Sequence, residues 1–337
     1  MNDTIWLKNE HSIQKRSLTD ISIELGITLS GLINIFNKQN LEIHHWNGSM
    51  LDKQCKDKLI ALFDNINFIE KDRTILKPKE LDFYFPEHNL AIELNGMYWH
   101  SELQGRGKKY HLNKFQMCKD KNIRLLQFWD YEWINKQPII LSKIKVTLGL
   151  GDKIAARKCK VQEIPSQQAR EFLNINHLQG SHNSTINLGL IYNNEIVEVM
   201  SFSKSRFSKK YEYELTRLCS IQNTTIVGGV NKLLSYFIKK YNPNSIISYC
   251  DLRYGSGAFY EKLGFTYSHR ANPNYFYFKP NTLITYSRQS FQKHKLKDKL
   301  ETFDPDLTEW ENMQNNGYDR IWDCGNDVWV WNKDNII

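Results

Sequence analysis

Long apolar runs and paired cysteines are both absent from this sequence, and each absence excludes a class of protein. No window approaches the roughly 18 consecutive apolar residues of a membrane-spanning helix, and the opening stretch, MNDTIWLKNEHSIQKR, has no apolar signal core. The six cysteines are scattered without CxxC spacing, which argues against a zinc ribbon and a secreted disulfide framework. We therefore expect a cytoplasmic protein with no membrane partner.

The composition favours a polyanionic partner without proving one. The chain has 337 residues, enough for two or three domains, and a formal net charge of +8 with a pI near 9.0. Aromatic residues make up 13% of the chain, and many lie beside lysine or arginine. This combination suits stacking on bases and pairing with phosphates, although aromatic residues are also ordinary core material.

The most informative stretch predicts a β-hairpin that carries acids. Leu81, Phe83 and Phe85 alternate with polar residues, residues 86–89 contain turn formers, and residues 90–94 are extended again. The two strands carry one acid each, Asp82 and Glu93.

These two acids open a set of polar residues suited to phosphodiester chemistry. Opposite side chains of a hairpin lie about 5 Å apart, and two carboxylates at that spacing suit a divalent cation. Four further polar residues follow: Asn95, His100, His111 and Lys114. Such groups can hold a metal, activate a water and neutralise charge. The alternative is a pair of solvated carboxylates on an exposed sheet face.

The same residues carry a resemblance to a nuclease family. Asp82 followed by Glu93-x-Asn95 resembles a PD-(D/E)xK core with asparagine in place of the usual lysine. The strings NGMYWH, YHLNK and IRLLQFWDYEW are similar to very-short-patch-repair (Vsr-like) endonucleases and related phage homing endonucleases, over about 75 residues. The resemblance implies a restriction-endonuclease-type core that binds Mg²⁺ or Mn²⁺.

Roles for individual residues follow from that resemblance. Asp82, Glu93 and the carbonyl of Leu94 would bind the metal, and His100 would act as general base or phosphate polariser. His111 and Lys114 would stabilise charge on the scissile phosphate. Asn95, also a candidate catalytic residue, falls where relatives carry another histidine. Relatives place one more acid on the preceding helix, for which the candidates are Asp52 and Asp57.

Three segments are candidates for DNA contact. The pattern over residues 12–40 predicts a helix-turn-helix, with Gly26 ending its first helix, although a plain helical hairpin has the same apolar stripes. The Gly-rich loop at 105–109 and the basic run at 288–297 are the others, each equally explained as a solvated turn or charged helix. The candidate contacts are Thr28, Ser30, Asn34, Lys38, Arg106, Lys108, Lys109, Lys293 and Lys295.

The carboxy-terminal half carries a second resemblance. Residues 251–265 contain FYEKLGF, which resembles the end of a GNAT acyltransferase fold. In that family a Gln/Arg-x-x-Gly-x-Gly/Ala loop binds the pyrophosphate of acetyl-CoA at a helix N-terminus. The corresponding segment, residues 225–230 (TIVGGV), lacks the leading basic or amide residue. The resemblance therefore implies the fold and leaves cofactor binding open.

Together these patterns predict an α/β multidomain protein. We expect a helix-turn-helix at 1–45, a Vsr-like nuclease domain at 46–150, and a GNAT-like domain at 151–337 with a role in DNA binding or target recognition. The predicted function is a metal-dependent, site-recognising endonuclease of phage homing type that acts on double-stranded DNA, as a homodimer in one arrangement, in the host cytoplasm. The alternatives are a GNAT-type acyltransferase tethered to DNA and a catalytically silent DNA-binding protein.

Overall fold

The computed structural model describes most of the chain. The described residues are 4–13, 18–41, 48–63, 65–205, 208–280, 282 and 284–335. Ser30 and Asp52, two residues singled out above, have a described backbone, but their side chains lie outside the described set. In the described ranges, no helix is long and apolar enough to cross a lipid bilayer.

Short helices form the amino-terminal part. They are α1 (Thr4–Lys8), a π-helical turn (Asn9–Ile13), α2 (Leu18–Glu24), α3 (Leu29–Lys38) and α4 (Gly48–Leu62). Gly26, with a φ of +64°, follows α2, and Thr28 caps α3 by accepting a hydrogen bond from the Gly31 amide at 3.1 Å. The predicted helix, turn and helix are present, but a helical hairpin has them too, so the helix-turn-helix stays a prediction.

A four-stranded sheet follows, with two helices. Its elements are β1 (Ile69–Asp72), β2 (Leu81–Phe85), β3 (Leu90–Asn95), α5 (Tyr110–Asp120), β4 (Arg124–Trp129) and α6 (Asp130–Thr147). The strand order is β1-β2-β3-β4, antiparallel except for the parallel pair β3 and β4. The predicted hairpin is thus confirmed as β2 and β3, joined by the turn Pro86–His88 and a left-handed Asn89.

The rest of the chain contains most of the strands. The strands are β5 (Asp152–Ala155), β6 (Lys160–Glu163), β7 (Ile186–Tyr192), β8 (Glu195–Lys204), β9 (Tyr213–Ser220), β10 (Thr224–Val227), β11 (Ser245–Asp251), β12 (Thr266–Arg270), β13 (Tyr275–Phe278), β14 (Thr285–Ser287), β15 (Asp319–Trp322) and β16 (Asn326–Asn332). The helices are α7 (Ser166–Asn176), α8 (Gly229–Tyr241), α9 (Ala258–Lys262), α10 (Lys293–Leu296) and α11 (Glu309–Asn315).

A seven-stranded sheet organises this half, in the order β12-β16-β11-β9-β8-β7-β6. Its strands are antiparallel to their neighbours except for β9 and β11, which run parallel. Adjacent residues of a strand point to opposite faces. Met200 packs in the core under α8 and α9, whereas Val199 packs against α7. The sheet is therefore covered by helices on both faces.

One segment near the carboxy terminus takes a different form from one of its predicted forms. The basic run at 288–297 is not one charged helix, because Gln292 is extended and separates the turn Arg288–Phe291 from α10. Trp329 and Trp331, on β16, pack in the main core of the seven-stranded sheet. Trp322, on β15 of the small sheet of order β14-β13-β15, packs in a separate cluster that includes Tyr275.

A buried arginine joins the two larger sheets. The Arg253 guanidinium donates to Glu132 Oε2 on α6 at 2.9 Å and to Asp251 Oδ2 on β11 at 3.3 Å. The backbone adds a hydrogen bond from the Gln127 amide of β4 to the Arg253 carbonyl at 2.7 Å. These contacts fix the amino-terminal end of α6 beside the end of β11.

Candidate functional site

The hairpin brings the two predicted acids together. Phe83 pairs with Ile92, so Asp82 and Glu93 are neighbours across the ladder. The Asp82 amide donates to Glu93 Oε1 at 3.1 Å, and the Leu94 amide donates to Asp82 Oδ2 at 2.9 Å. The carboxylates therefore accept hydrogen bonds from the chain itself.

Lys114 of α5 completes this acid cluster. Its ammonium forms a buried ion pair with Glu93. Burial, with the charge of Asp82 second, raises the pKa of Glu93, and the charge of Lys114 opposes this shift. Burial alone would lower the pKa of Lys114, but Glu93 and Asp82 raise it above its ordinary value. Lys114 thus binds Glu93, one of the residues that the nuclease prediction assigned as metal ligands.

The two predicted histidines contact each other. His100 Nδ1 lies 3.2 Å from His111 Nε2, and the rings stack with centroids 5.4 Å apart. Burial, followed by the charges of Lys114 and Arg106, lowers the pKa of His100 to about 3. Burial also lowers the pKa of His111. Both imidazoles are therefore neutral at physiological pH.

Asn95 and Asp57 are the remaining predicted residues with described side chains. The Asn95 amide is buried with no hydrogen-bond partner among the described residues. Asp57 shares a cavity of about 290 Å³ with Asp82, lined also by Lys53, Lys56 and Lys71. In the described part of the chain, no three His, Cys, Asp or Glu side chains are grouped to hold a metal ion. The predicted Mg²⁺ or Mn²⁺ site is therefore wrong.

The described residues among the predicted DNA contacts lie at α3, in the loop at 105–109 and in the segment at 288–297. Asn34 and Lys38 are exposed on α3, whereas Thr28 is engaged in capping that helix. The Arg106 guanidinium lies 4.8 Å from the centre of the Tyr110 ring. The others are Lys108, near Trp322, exposed Lys109 and Lys293, and Lys295, which donates to the Gln289 carbonyl at 2.8 Å. DNA contact by these residues stays a prediction.

A second site lies where β9 and β11 part. The two strands pair at three positions, from Tyr213 with Ile246 to Leu215 with Ser248. In the pairing of β8 with β9, Phe202 pairs with Leu215 and Ser201 pairs with Arg217. Thr216 is therefore an extra residue that makes a β-bulge in β9. A bulge bends its strand, and pairing with β11 ends at this point. Among the described residues, no strand pairs with this edge of β9 beyond Leu215.

The split between β9 and β11 opens into a cavity of about 610 Å³. The side chains of Ser248 and Tyr260 line its inner end, with their hydroxyl oxygens 2.7 Å apart. Burial raises the pKa of Tyr260 above its ordinary value, so its phenol stays protonated. The cavity thus combines an open strand edge with a buried proton donor.

Helix α6 forms the opposite wall of this cavity. Ser142 Oγ accepts a hydrogen bond from the Asn223 amide at 2.6 Å. Lys143 and Thr147 also line the space. The Lys143 ammonium lies 4.9 Å from the centre of the Tyr254 ring. The cavity is therefore built from both halves of the chain.

The helix that follows β10 begins beside a buried acid. Gly228 has a φ of +79° and precedes α8. A Cβ at Gly229 would overlap the Glu198 carboxylate, so only glycine fits there. Glu198 accepts from Ser220 Oγ at 2.8 Å, and burial raises its pKa to about 7. The helix N-terminus thus already faces a carboxyl group.

Comparison with known proteins gives only distant matches. No protein-family model and no curated protein matches the chain. Solved structures do match. A GNAT acetyltransferase from Elizabethkingia anophelis with acetyl-CoA bound matches at 13% sequence identity with a TM-score of 0.28. The match covers 52% of this chain and 98% of the acetyltransferase chain. An N-acetylglutamate synthase from Neisseria gonorrhoeae with coenzyme A matches at 9% sequence identity with a TM-score of 0.29. This match covers 94% of this chain and 90% of the synthase chain. An IAA acetyltransferase from Bacillus cereus matches at 12% sequence identity with a TM-score of 0.29. This match covers 52% of this chain and 99% of the acetyltransferase chain.

These findings contradict the predicted DNA endonuclease. The proteins named above are acetyltransferases, two of them with acetyl-CoA or coenzyme A, and the predicted metal ligands form no metal-binding group. The GNAT-like part of the predicted fold is the part that the comparison supports.

Sequence reasoning missed the residues of the split. Tyr260 lies within the FYEKLGF string, which marked the fold but gave the tyrosine no role. The bulge at Thr216 has no signature in the sequence, because bulges depend on pairing between strands. Lys143 is distant along the chain from β9 and β11, and it reaches the cavity because α6 packs beside these strands. Only the three-dimensional structure brings these groups together.

Proposed function

We propose that the chain is an acyltransferase whose donor is an acyl thioester of the acetyl-CoA type, bound in the split between β9 and β11. The observation that carries this proposal is the bulge at Thr216, where two parallel strands stop pairing beside a cavity of about 610 Å³. Pockets of some 300 to 1,000 Å³ are typical of small-molecule sites.

The open edge of β9 suits the pantetheine arm of such a donor. Beyond Leu215 this edge offers backbone groups that β11 does not reach. An extended ligand with amide groups can add to such an edge as a further strand would. Coenzyme A carries two amides in its pantetheine arm, so the residues present fit this portion of the group.

The diphosphate of coenzyme A has no matching place at α8. A helix N-terminus favours anions, but Glu198 already lies against Gly229. A second anion there would meet a carboxyl group that ionises near pH 7. We therefore place the thioester and the pantetheine arm in the split, and leave the nucleotide end outside α8.

The chain's own groups can serve acyl transfer at the inner end of the split. When bound, the thioester supplies an activated acyl carbonyl. The Tyr260 phenol, hydrogen-bonded to Ser248, is a protonated donor that can give its proton to the departing sulfur. Excluding water from this buried end would favour transfer over hydrolysis.

A binding experiment tests the proposal. Isothermal titration with acetyl-CoA should show saturable binding to the wild-type chain. Thr147→Trp places a large side chain in the cavity and should weaken binding at least about tenfold. Lys145→Trp, on the same helix but away from the cavity lining, is the matched control. No binding to the wild type, or equal binding to both variants, would contradict the proposal.

The predicted partners, double-stranded DNA and a second copy of the chain, and the cytoplasmic location remain predictions. The acyltransferase proposal does not depend on them. A DNA-tethered enzyme is compatible with the exposed basic residues of the loop at 105–109, which are not among the residues that line the split.

A further inference from the structure

We propose that Lys143 of α6 is an acyl acceptor, so that the chain acylates itself at this lysine. This inference rests on the proposed function, because the donor is the thioester placed in the split. It adds a modification site that the proposed function alone does not require.

The position of Lys143 is the first argument. The residue lines the cavity from the wall opposite β9 and β11. Cys219 on β9 and Cys250 on β11, one from each of the two separated strands, line the same cavity. The Lys143 side chain therefore enters the space assigned to the thioester.

The surroundings of Lys143 provide the second argument. Within the described part of the chain, the Lys143 ammonium makes no ion pair or hydrogen bond. It lies over the Tyr254 ring, 4.9 Å from the ring centre. Burial, with the nearby charge of Arg124 second, lowers the pKa of Lys143. A neutral amine is the nucleophilic form, and desolvated lysines are activated in this way.

Other nucleophiles of the cavity are less suited. Burial raises the pKa of both Cys219 and Cys250 to about 12, which keeps these thiols protonated. The imidazole of His177 also lines the cavity, but an acyl group on histidine is readily lost to water. A lysine amide is stable, so Lys143 is the place where transferred acyl groups should accumulate.

The step balances without another reactant. The neutral Nζ of Lys143 attacks the thioester carbonyl carbon, the N–C amide bond forms, and the C–S bond breaks. The nitrogen loses one proton, and the sulfur gains one from Tyr260, which is then reprotonated by solvent. The products are an acylated lysine and the free thiol of coenzyme A.

Peptide mass spectrometry after incubation with isotopically labelled acetyl-CoA tests the inference. We expect label at Lys143 at a rate that saturates with acetyl-CoA and does not depend on protein concentration, since the transfer is internal. Lys145, two positions along the helix and outside the cavity lining, is the control site within the same molecule. Its labelling should be at least about tenfold lower, as should that of Lys143 after heat denaturation.

Two further measurements separate the possible failures. Lys143→Arg removes the nucleophilic amine and should abolish the label at this position, whereas Lys145→Arg, outside the cavity lining, should leave the label at Lys143 unchanged. Binding without label at Lys143, or equal label at Lys143 and Lys145, would overturn self-acylation and leave the proposed function standing. Absence of acetyl-CoA binding would overturn both.

Discussion

The acid cluster at the hairpin and the split in the seven-stranded sheet both contain buried polar groups, but they differ in what satisfies those groups. At the hairpin, Glu93 is paired with Lys114, and Asp82 accepts from the Leu94 amide. At the split, one edge of β9 has no strand partner beyond Leu215, and a cavity adjoins it. The comparison teaches that a cluster with suggestive residue types can be satisfied internally, while an incomplete ladder is the stronger sign of a missing ligand.

Breaking the hairpin ion pair should give the largest effect on stability. Lys114→Met leaves the Glu93 carboxylate buried without its partner, and loss of one member of such a pair costs about 3–5 kcal/mol. Urea unfolding measures the difference. The double variant with Glu93→Gln should recover much of the loss, and equal stability of wild type and Lys114→Met would contradict a structural role for the pair.

The buried Glu198 should make stability depend on pH. Its pKa is raised from 4.5 to about 7, so the folded chain holds a proton that the unfolded chain releases above pH 4.5. The stabilising contribution is therefore present below pH 4.5 and is lost as pH rises through 7, by up to about 3 kcal/mol. Glu198→Gln should flatten this part of the unfolding free-energy profile, and an unchanged slope would exclude Glu198 as its source.

Removing the phenol at the split should slow transfer without preventing binding. Tyr260→Phe deletes the proposed proton donor, and loss of a general acid costs on the order of 100-fold in rate. Release of free thiol from acetyl-CoA measures the rate, and titration measures binding. Tyr267→Phe, on exposed β12, is the matched control. A rate equal to that of the wild type would remove Tyr260 from the chemistry.

The smallest effect should come from an exposed ion pair. Lys56 and Glu70 lie 2.7 Å apart, but about two fifths of each side chain is exposed. Solvent screens such pairs, so Lys56→Ala should change the free energy of unfolding by at most about 1 kcal/mol. A loss as large as that of Lys114→Met would mean that burial does not distinguish the two pairs.

Much of the local structure is predictable from sequence, because it follows from local patterns. The alternation around Phe83 predicts β2, and the apolar spacing and Gly26 predict the helices on either side of that glycine. The closeness of Asp82 and Glu93 follows from the hairpin register. Patterns of this kind need only neighbouring residues.

What the sequence does not predict depends on contacts between distant segments. The pairing of Lys114 with Glu93 decides that the hairpin acids are already satisfied, and it links residues on different elements. The docking of α6, in which Ser142 Oγ accepts from the Asn223 amide, brings Lys143 to the split. The sequence around the hairpin therefore predicted that Asp82 and Glu93 lie close together, but the metal site inferred from the resemblance of short strings was wrong.

Hydrogen exchange of the β9 amides is the most direct test of the account. Addition of acetyl-CoA should slow exchange at residues 216–220, where β9 lacks a partner on the side of β11, and should leave the ladder of β2 and β3 unchanged. Protection confined to other segments, or no protection at saturating acetyl-CoA, would contradict the claim that the split is the donor site.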